Sequence, residues 1–153
     1  MSVSLGYRSN PSGSFVNVPT AQSLENAVEC IDVEAAETHT QSTHVWWKPS
    51  PLELVFQFDA EYEIGEVFFW NYFEEYWDVD EIQFSFYDLS DNKVGVTTVY
   101  PRMGENADGQ HANDVVAEQI VFPAVYNASK IEAILKSTNG EIDFQNFVFR
   151  ASS

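Results

Sequence analysis

Apolar and polar residues alternate with a period of two along most of this chain, most densely between residues 46 and 88. Leu52, Leu54, Phe56 and Phe58 lie two apart, with Glu53 and Gln57 between them. Val67 and Phe69 carry the pattern through residues 66–73. Ile82, Phe84 and Phe86 repeat it, with Glu81, Gln83 and Ser85 on the opposite face. A side-chain period of two with one wet face predicts antiparallel strands. Between the second and third runs, Glu74-Glu75-Tyr76-Trp77-Asp78 sets two large aromatics among carboxylates, in what reads as a connecting loop.

The pattern extends to both ends. Val3, Leu5 and Tyr7 predict a first strand, and Asn10-Pro11-Ser12-Gly13 a turn. Phe15, Val16 and Val18 predict a second, short strand closed by Pro19. Only residues 23–37 show helical spacing, with Leu24, Ala27, Val28 and Ile31 on one face and Ser23 as N-cap. A turn or two of helix is expected there, crowded by like charge. Lys48-Pro49-Ser50-Pro51 breaks the chain before the first long strand. Val94, Val96, Thr98 and Tyr100 alternate again, and residues 101–114 form a long loop rich in Gly, Asn and Asp. Ile120 and Phe122 mark another strand, and Ile131, Ala133 and Leu135 the next. Asn139-Gly140 predicts a hairpin turn into a last strand with Ile142, Phe144, Phe147 and Phe149. The apolar phase slips by one at Gln145-Asn146, which predicts a bulge or burial of both faces. About eight or nine strands, little helix and no internal repeat predict an all-β protein, a single β-sandwich domain of jelly-roll type over residues 1–153.

Composition narrows the function. With 7 basic and 24 acidic residues the formal charge is -17. That opposes a nucleic-acid backbone or an anionic membrane as partner, and a polyanionic ligand unless bound cations screen the field; the plain reading of the charge is a solubility device. No apolar run reaches membrane-spanning length, so a soluble domain is expected. Met1-Ser2-Val3 leads straight into strand-like sequence, as expected of a module within a longer chain. Cys30 is the one cysteine, which excludes an internal disulfide and reads as a small buried hydrophobe.

The order of these pieces resembles the discoidin-like domains (coagulation factor 5/8 type C), and within them the carbohydrate-binding modules. Ser23-Leu24-Glu25-Asn26-Ala27-Val28 is similar to the short helical turn after the family's first strand. Residues 43–47 and Leu52-Glu53-Leu54-Val55-Phe56-Gln57-Phe58 resemble its Thr/Trp segment and following strand. Residues 64–72, with Trp70-Asn71, and residues 80–86 resemble the next two strands, and residues 131–149 the family's ending. The resemblance implies a structural calcium near the helical segment, usually closed by a Glu near the C-terminus. Here a longer acidic stretch, residues 29–43, replaces the compact Asp-Gly turn, and Asn146 stands at the closing position. Calcium takes six to eight oxygen ligands, and the implied donors are Glu29, Asp32, Thr38, Thr43 and Asn146. The alternative is a solvated acidic loop.

The resemblance also implies a ligand site in loops at one end of the sandwich: residues 38–47, 74–78 and 101–114. These contain His39, His44, Trp46, Tyr76, Trp77, Arg102, Asn106 and His111. Sugars present apolar C–H faces and a ring of hydroxyls, which proteins meet with exposed aromatics and polar groups in a concave site. Tyr76 and Trp77 are the expected platforms, unless one folds back to cap the core. Trp47 and Trp70 read as core, and Trp46 is open between the two roles. Arg102 reads either as a donor to sugar hydroxyls or as one half of a surface ion pair. The histidine spacings match no zinc motif. No nucleophile elbow, metalloprotease helix or phosphate-cradling glycine loop occurs. The expectation is a monomeric, non-catalytic module binding a polysaccharide or oligosaccharide, carried by a secreted polysaccharide-degrading enzyme, and favouring a neutral glycan of the agarose kind. The rivals are a protein-adhesion domain of the same fold and a small polysaccharide lyase or hydrolase.

Overall fold

The computed structural model describes residues 3–8, 14–15, 28–31, 45–106 and 115–152. These hold eleven strands: β1 (Val3–Arg8), β2 (Ser14–Phe15), β3 (Val28–Ile31), β4 (Val45–Lys48), β5 (Leu52–Asn71), β6 (Glu81–Tyr87), β7 (Lys93–Val99), β8 (Glu105–Asn106), β9 (Val115–Val116), β10 (Glu118–Lys136) and β11 (Ile142–Ser152).

Two of them, β5 and β10, each merge a pair of the strands expected from the sequence. Each bends midway and passes from one layer to the other. Residues 52–58 of β5 pair with β1 and with residues 130–135 of β10. Residues 62–71 of β5 pair with β11 and with residues 118–128 of β10. The first layer is completed by β6 and β7, the second by β4, β2 and β3. Pairing is antiparallel throughout except for β3, which runs parallel to β11. The result is a β-sandwich, as the alternation predicts.

The core between the layers is largely phenylalanine. Phe56 meets Phe147 and Phe149 edge-on at 5.5 and 4.8 Å, and Phe84 meets the same two rings at 6.4 and 6.0 Å. Such edge-to-face pairs add about 0.5–1.5 kcal/mol each beyond the area that they bury. Trp47 and Trp70 are both buried, as expected.

Three expectations need correction. Val28 to Ile31 form β3 rather than helix, because the edge of β11 supplies backbone partners and Val28, Cys30 and Ile31 suit a strand. The rest of residues 23–37 lies outside the described residues. The Asn139-Gly140 turn is real: Gly140 has φ 85° and its N–H bonds to Ser137 O. It does not join a hairpin, however, since β10 and β11 pair with β5 and not with each other. Finally, the 66–73 run has no wet face. Phe68, Trp70 and Val148 are buried on the outer side of the second layer under Val115, Phe73 and Ala117. At the phase slip both alternatives hold. The register shifts between Phe144 and Asn146, and Phe147, Val148 and Phe149 are all buried.

Because β5 and β10 double back, both of their ends lie at one end of the sandwich. The registers bring the end of β7, the starts of β6 and β11, and β4 to that same end. The loops gathered there are residues 49–51, 72–80, 100–104 and 137–141.

Candidate functional site

Residues 72–80 connect β5 in the second layer to β6 in the first. The loop is built on one buried side chain, Asn71, at the last position of β5. Its Nδ2 donates to Val79 O and to Arg102 O, both at 2.9 Å. Its Oδ1 accepts from Tyr72 N at 2.9 Å and Val79 N at 2.8 Å. Buried amides persist where their partners are supplied, and this one is satisfied on all four sides. Within the loop, Trp77 N and Asp78 N both donate to Glu74 O, and Asp143 N of β11 donates to Trp77 O. The loop is therefore tied at both mouths and at its middle.

That frame presents four aromatics. Tyr72 packs on Phe73 at 4.6 Å and edge-on to Trp77 at 5.9 Å, and Tyr76 meets Trp77 edge-on at 4.9 Å. Tyr76 is 51% exposed, while Trp77 is half-buried. Tyr76 is thus the outer ring of the pair, and Trp77 braces it against the loop. Beneath them Asp78 is only 3% exposed, and its Oδ1 has no hydrogen-bond partner. Burial, with the Asp80 and Glu75 carboxylates nearby, pushes its carboxyl up to about 7. Burial, then Asp143 and Glu74, raises the Tyr72 phenol and keeps it neutral.

The second wall is residues 101–105. Arg102 N donates to Glu118 Oε1 at 2.7 Å, and Arg102 Nε lies 3.4 Å from Glu118 Oε2. The ion-pair reading of Arg102 therefore holds, and its side chain is still 77% exposed. Gly104 N donates to Tyr72 O at 2.6 Å. A Cβ at Gly104 would stand 2.1 Å from Asn71 O, so only glycine allows this approach. A cleft of about 100 Å³ opens here, with Phe69 and Asn71 at its base and Arg102, Met103 and Glu118 around it.

The structure brings Tyr76, Trp77 and Arg102 to one end, linked through Asn71. Trp46 lies at the same end and donates from Nε1 to Glu141 Oε1 at 3.0 Å, which holds its ring in place. Asn106 lies in β8, paired with Val115. His39, His44 and His111 lie outside the described residues. Of the implied calcium donors, Glu29 is in β3 opposite Val148, and Asn146 is two positions earlier in β11 opposite Trp70, so the backbone sets them on adjoining strands. Asp32, Thr38 and Thr43 lie outside the described residues. No group of three or more His, Cys, Asp or Glu side chains placed for a metal occurs among the described residues. Sequence reasoning missed Asn71, Gly104 and Asp78. Asn71 reads as an ordinary strand residue beside Trp70, and only its position at a strand end before a loop hints at a bracket.

No family model matches this chain, and no curated protein does. Solved structures do. The GH31 CBM32-2 module bound to GalNAc superimposes with a TM-score of 0.61 at 10% identity, covering 99% of each chain. The CBM32-3 module of a family 31 glycoside hydrolase from Clostridium perfringens gives 0.60 at 14% identity, over 97% of this chain and 91% of that one. An F5/8 type C domain from Bacteroides fragilis gives 0.59 at 6% identity, over 97% and 98%. The chain has the fold of the discoidin-like domains and of the carbohydrate-binding modules built on it.

Proposed function

We propose that this protein is a non-catalytic carbohydrate-binding module that carries a secreted polysaccharide-degrading enzyme to its substrate. One observation carries the reading: Tyr76 stands exposed on Trp77, on a loop tied at three points, at the same end as the exposed Arg102. A sugar face stacks on the tyrosine, and its hydroxyls reach the guanidinium and the loop carboxylates. The fold shared with the GalNAc-bound module supports a sugar of the galactose type. The charge of -17 favours a neutral or weakly charged polymer, such as an agarose-like galactan, over sulfated or uronate chains. Calcium belongs to the proposal. Glu29 and Asn146 on adjoining strands offer oxygen donors suited to a hard cation.

Protein adhesion is the second reading. It is favoured by the exposure of Leu89, Val121 and Val125. The deciding experiment is a glycan array and an insoluble-polysaccharide pull-down on wild type and Trp77→Ala, with calcium and with EDTA. Binding that Trp77→Ala abolishes in a folded protein supports the module, and loss in EDTA supports the calcium. A folded wild type that binds no glycan moves the assignment to adhesion.

A further inference from the structure

At the same end of the sandwich, on the first layer, a second groove of about 390 Å³ opens between the end of β7 and the end of β10. Its lining is Asp80, Glu81, Tyr100, Lys136, Ser137 and Thr138. Tyr100 is 72% exposed, and nothing in the loop site described above uses it. The polar wall is fixed by its own bonds. Asp80 Oδ2 accepts from Thr138 N at 2.7 Å and Thr138 Oγ1 at 3.0 Å, and Asp80 N donates to Lys136 O at 2.8 Å. Lys136 Nζ lies 3.5 Å from Glu81 Oε2.

We infer that the Tyr100 groove is a second sugar subsite, which takes a neutral pyranose of the same polymer that the Tyr76 loop engages. The inference rests on the proposed function and deepens it. Three features single out this occupant. The groove sets an exposed aromatic beside two carboxylates, one ammonium and two hydroxyls, which is the kind of lining that a sugar ring needs. Its size falls in the range of about 300–1,000 Å³ usual for small-molecule sites. The rim is net negative in a strongly acidic protein, so a carboxylated or sulfated residue is repelled while sugar hydroxyls donate to Asp80 and Glu81. The groove also adjoins the loop of the first site. Asp80 ends the loop that carries Tyr76, and Asn139 Nδ2 donates to Glu75 O at 3.4 Å. A glycan on the Tyr76 face that extends along this end enters the Tyr100 groove, so the protein reads the interior of a chain rather than a single terminal sugar.

The experiment is calorimetric titration of wild type, Tyr100→Ala, Tyr100→Phe and Trp77→Ala with oligosaccharides of increasing length, cut from the polymer that the pull-down selects. Wild-type affinity is expected to rise roughly tenfold from short to long chains, which is about 1.4 kcal/mol. Tyr100→Ala should keep the short-chain affinity and lose that rise, and Tyr100→Phe should retain it. Equal affinities for wild type and Tyr100→Ala at every length would overturn the second subsite and leave the first standing. A wild type that binds no oligosaccharide would overturn both.

Discussion

Asn71 grips Val79 from both sides: its Nδ2 donates to Val79 O at 2.9 Å, and its Oδ1 accepts from Val79 N at 2.8 Å. Eight residues of loop close on this one amide, which also holds Arg102 O. Asn71→Ala leaves two backbone donors and two carbonyls to find new partners in a buried place. We expect a loss of about 3 kcal/mol, or roughly 6–12 °C in Tm. Asn71→Asp should be no better, because it sets a carboxylate against two carbonyls. Thermal melts beside glycan pull-downs check this, and both variants should lose binding along with stability.

Gly104 holds the other wall against the first. Gly104→Ala forces a Cβ toward Asn71 O, a backbone atom that cannot swing aside. The Arg102–Glu105 segment must then move away and give up the bond from Gly104 N to Tyr72 O. We expect a cost of about 1–3 kcal/mol and a marked drop in glycan affinity. A melting temperature and affinity equal to wild type would show that the two walls are independent.

These brackets explain what was and was not legible in the sequence. The period-two runs at Leu52–Phe58 and Ile82–Phe86 report burial directly, so the strands and the sandwich follow from them. The phase slip at Gln145-Asn146 likewise shows the bulge. The continuity of β5 does not show, because Asp59, Glu61 and Glu63 interrupt the apolar pattern where the strand bends into water. Val28 and Ile31 fit a helix by spacing and a strand by side-chain type, and pairing with Phe147 to Arg150 decides for the strand. Tyr76 and Trp77 stand out as aromatics among charges. Asn71 and Gly104 do not, since their roles depend on segments about 30 residues apart being brought together. Tyr100 reads as one more member of an alternating run until the edge of the first layer leaves it exposed.

Asp78 makes the stability of the loop depend on pH. Its carboxyl is pushed up to about 7, chiefly by burial and then by Asp80 and Glu75, against an unfolded value of 3.8. Between those values the folded protein holds a proton that the unfolded chain has released. The stabilisation is therefore full below about 4 and is lost as pH rises through about 7. Wild-type Tm should fall between pH 5 and pH 8 by several degrees. Asp78→Asn keeps an uncharged donor facing Asp80, so it should melt higher than wild type at pH 8 and close to it at pH 5. Parallel pH profiles for the two proteins would overturn this.

Arg102→Ala separates binding from folding. The Arg102–Glu118 pair is a single 3.4 Å contact with the arginine 77% exposed. Exposed pairs of this kind contribute about 0–1 kcal/mol, so Tm should hardly change. Glycan affinity should fall several-fold, because the guanidinium is the exposed cation on the site's rim. Calorimetry beside a melt distinguishes the outcomes. A large loss of Tm with unchanged affinity would make Arg102 structural.

The charge of -17 makes the proposed preference for a neutral ligand testable, because salt screens the field. At low ionic strength the potential repels sulfate and uronate chains, while neutral galactans feel none of it. Raising the salt from about 0.01 M to about 0.15 M shortens the Debye length from about 30 Å to about 8 Å. Retardation in an agarose gel should therefore be independent of salt. Retardation in carrageenan or alginate gels should be weak at low salt and should rise, if it changes, as salt is added. The opposite trend, strong binding to the anionic gels that salt weakens, would mean that local cations such as Arg102 and Lys136 outweigh the overall field, and the preference for neutral glycans would be reversed.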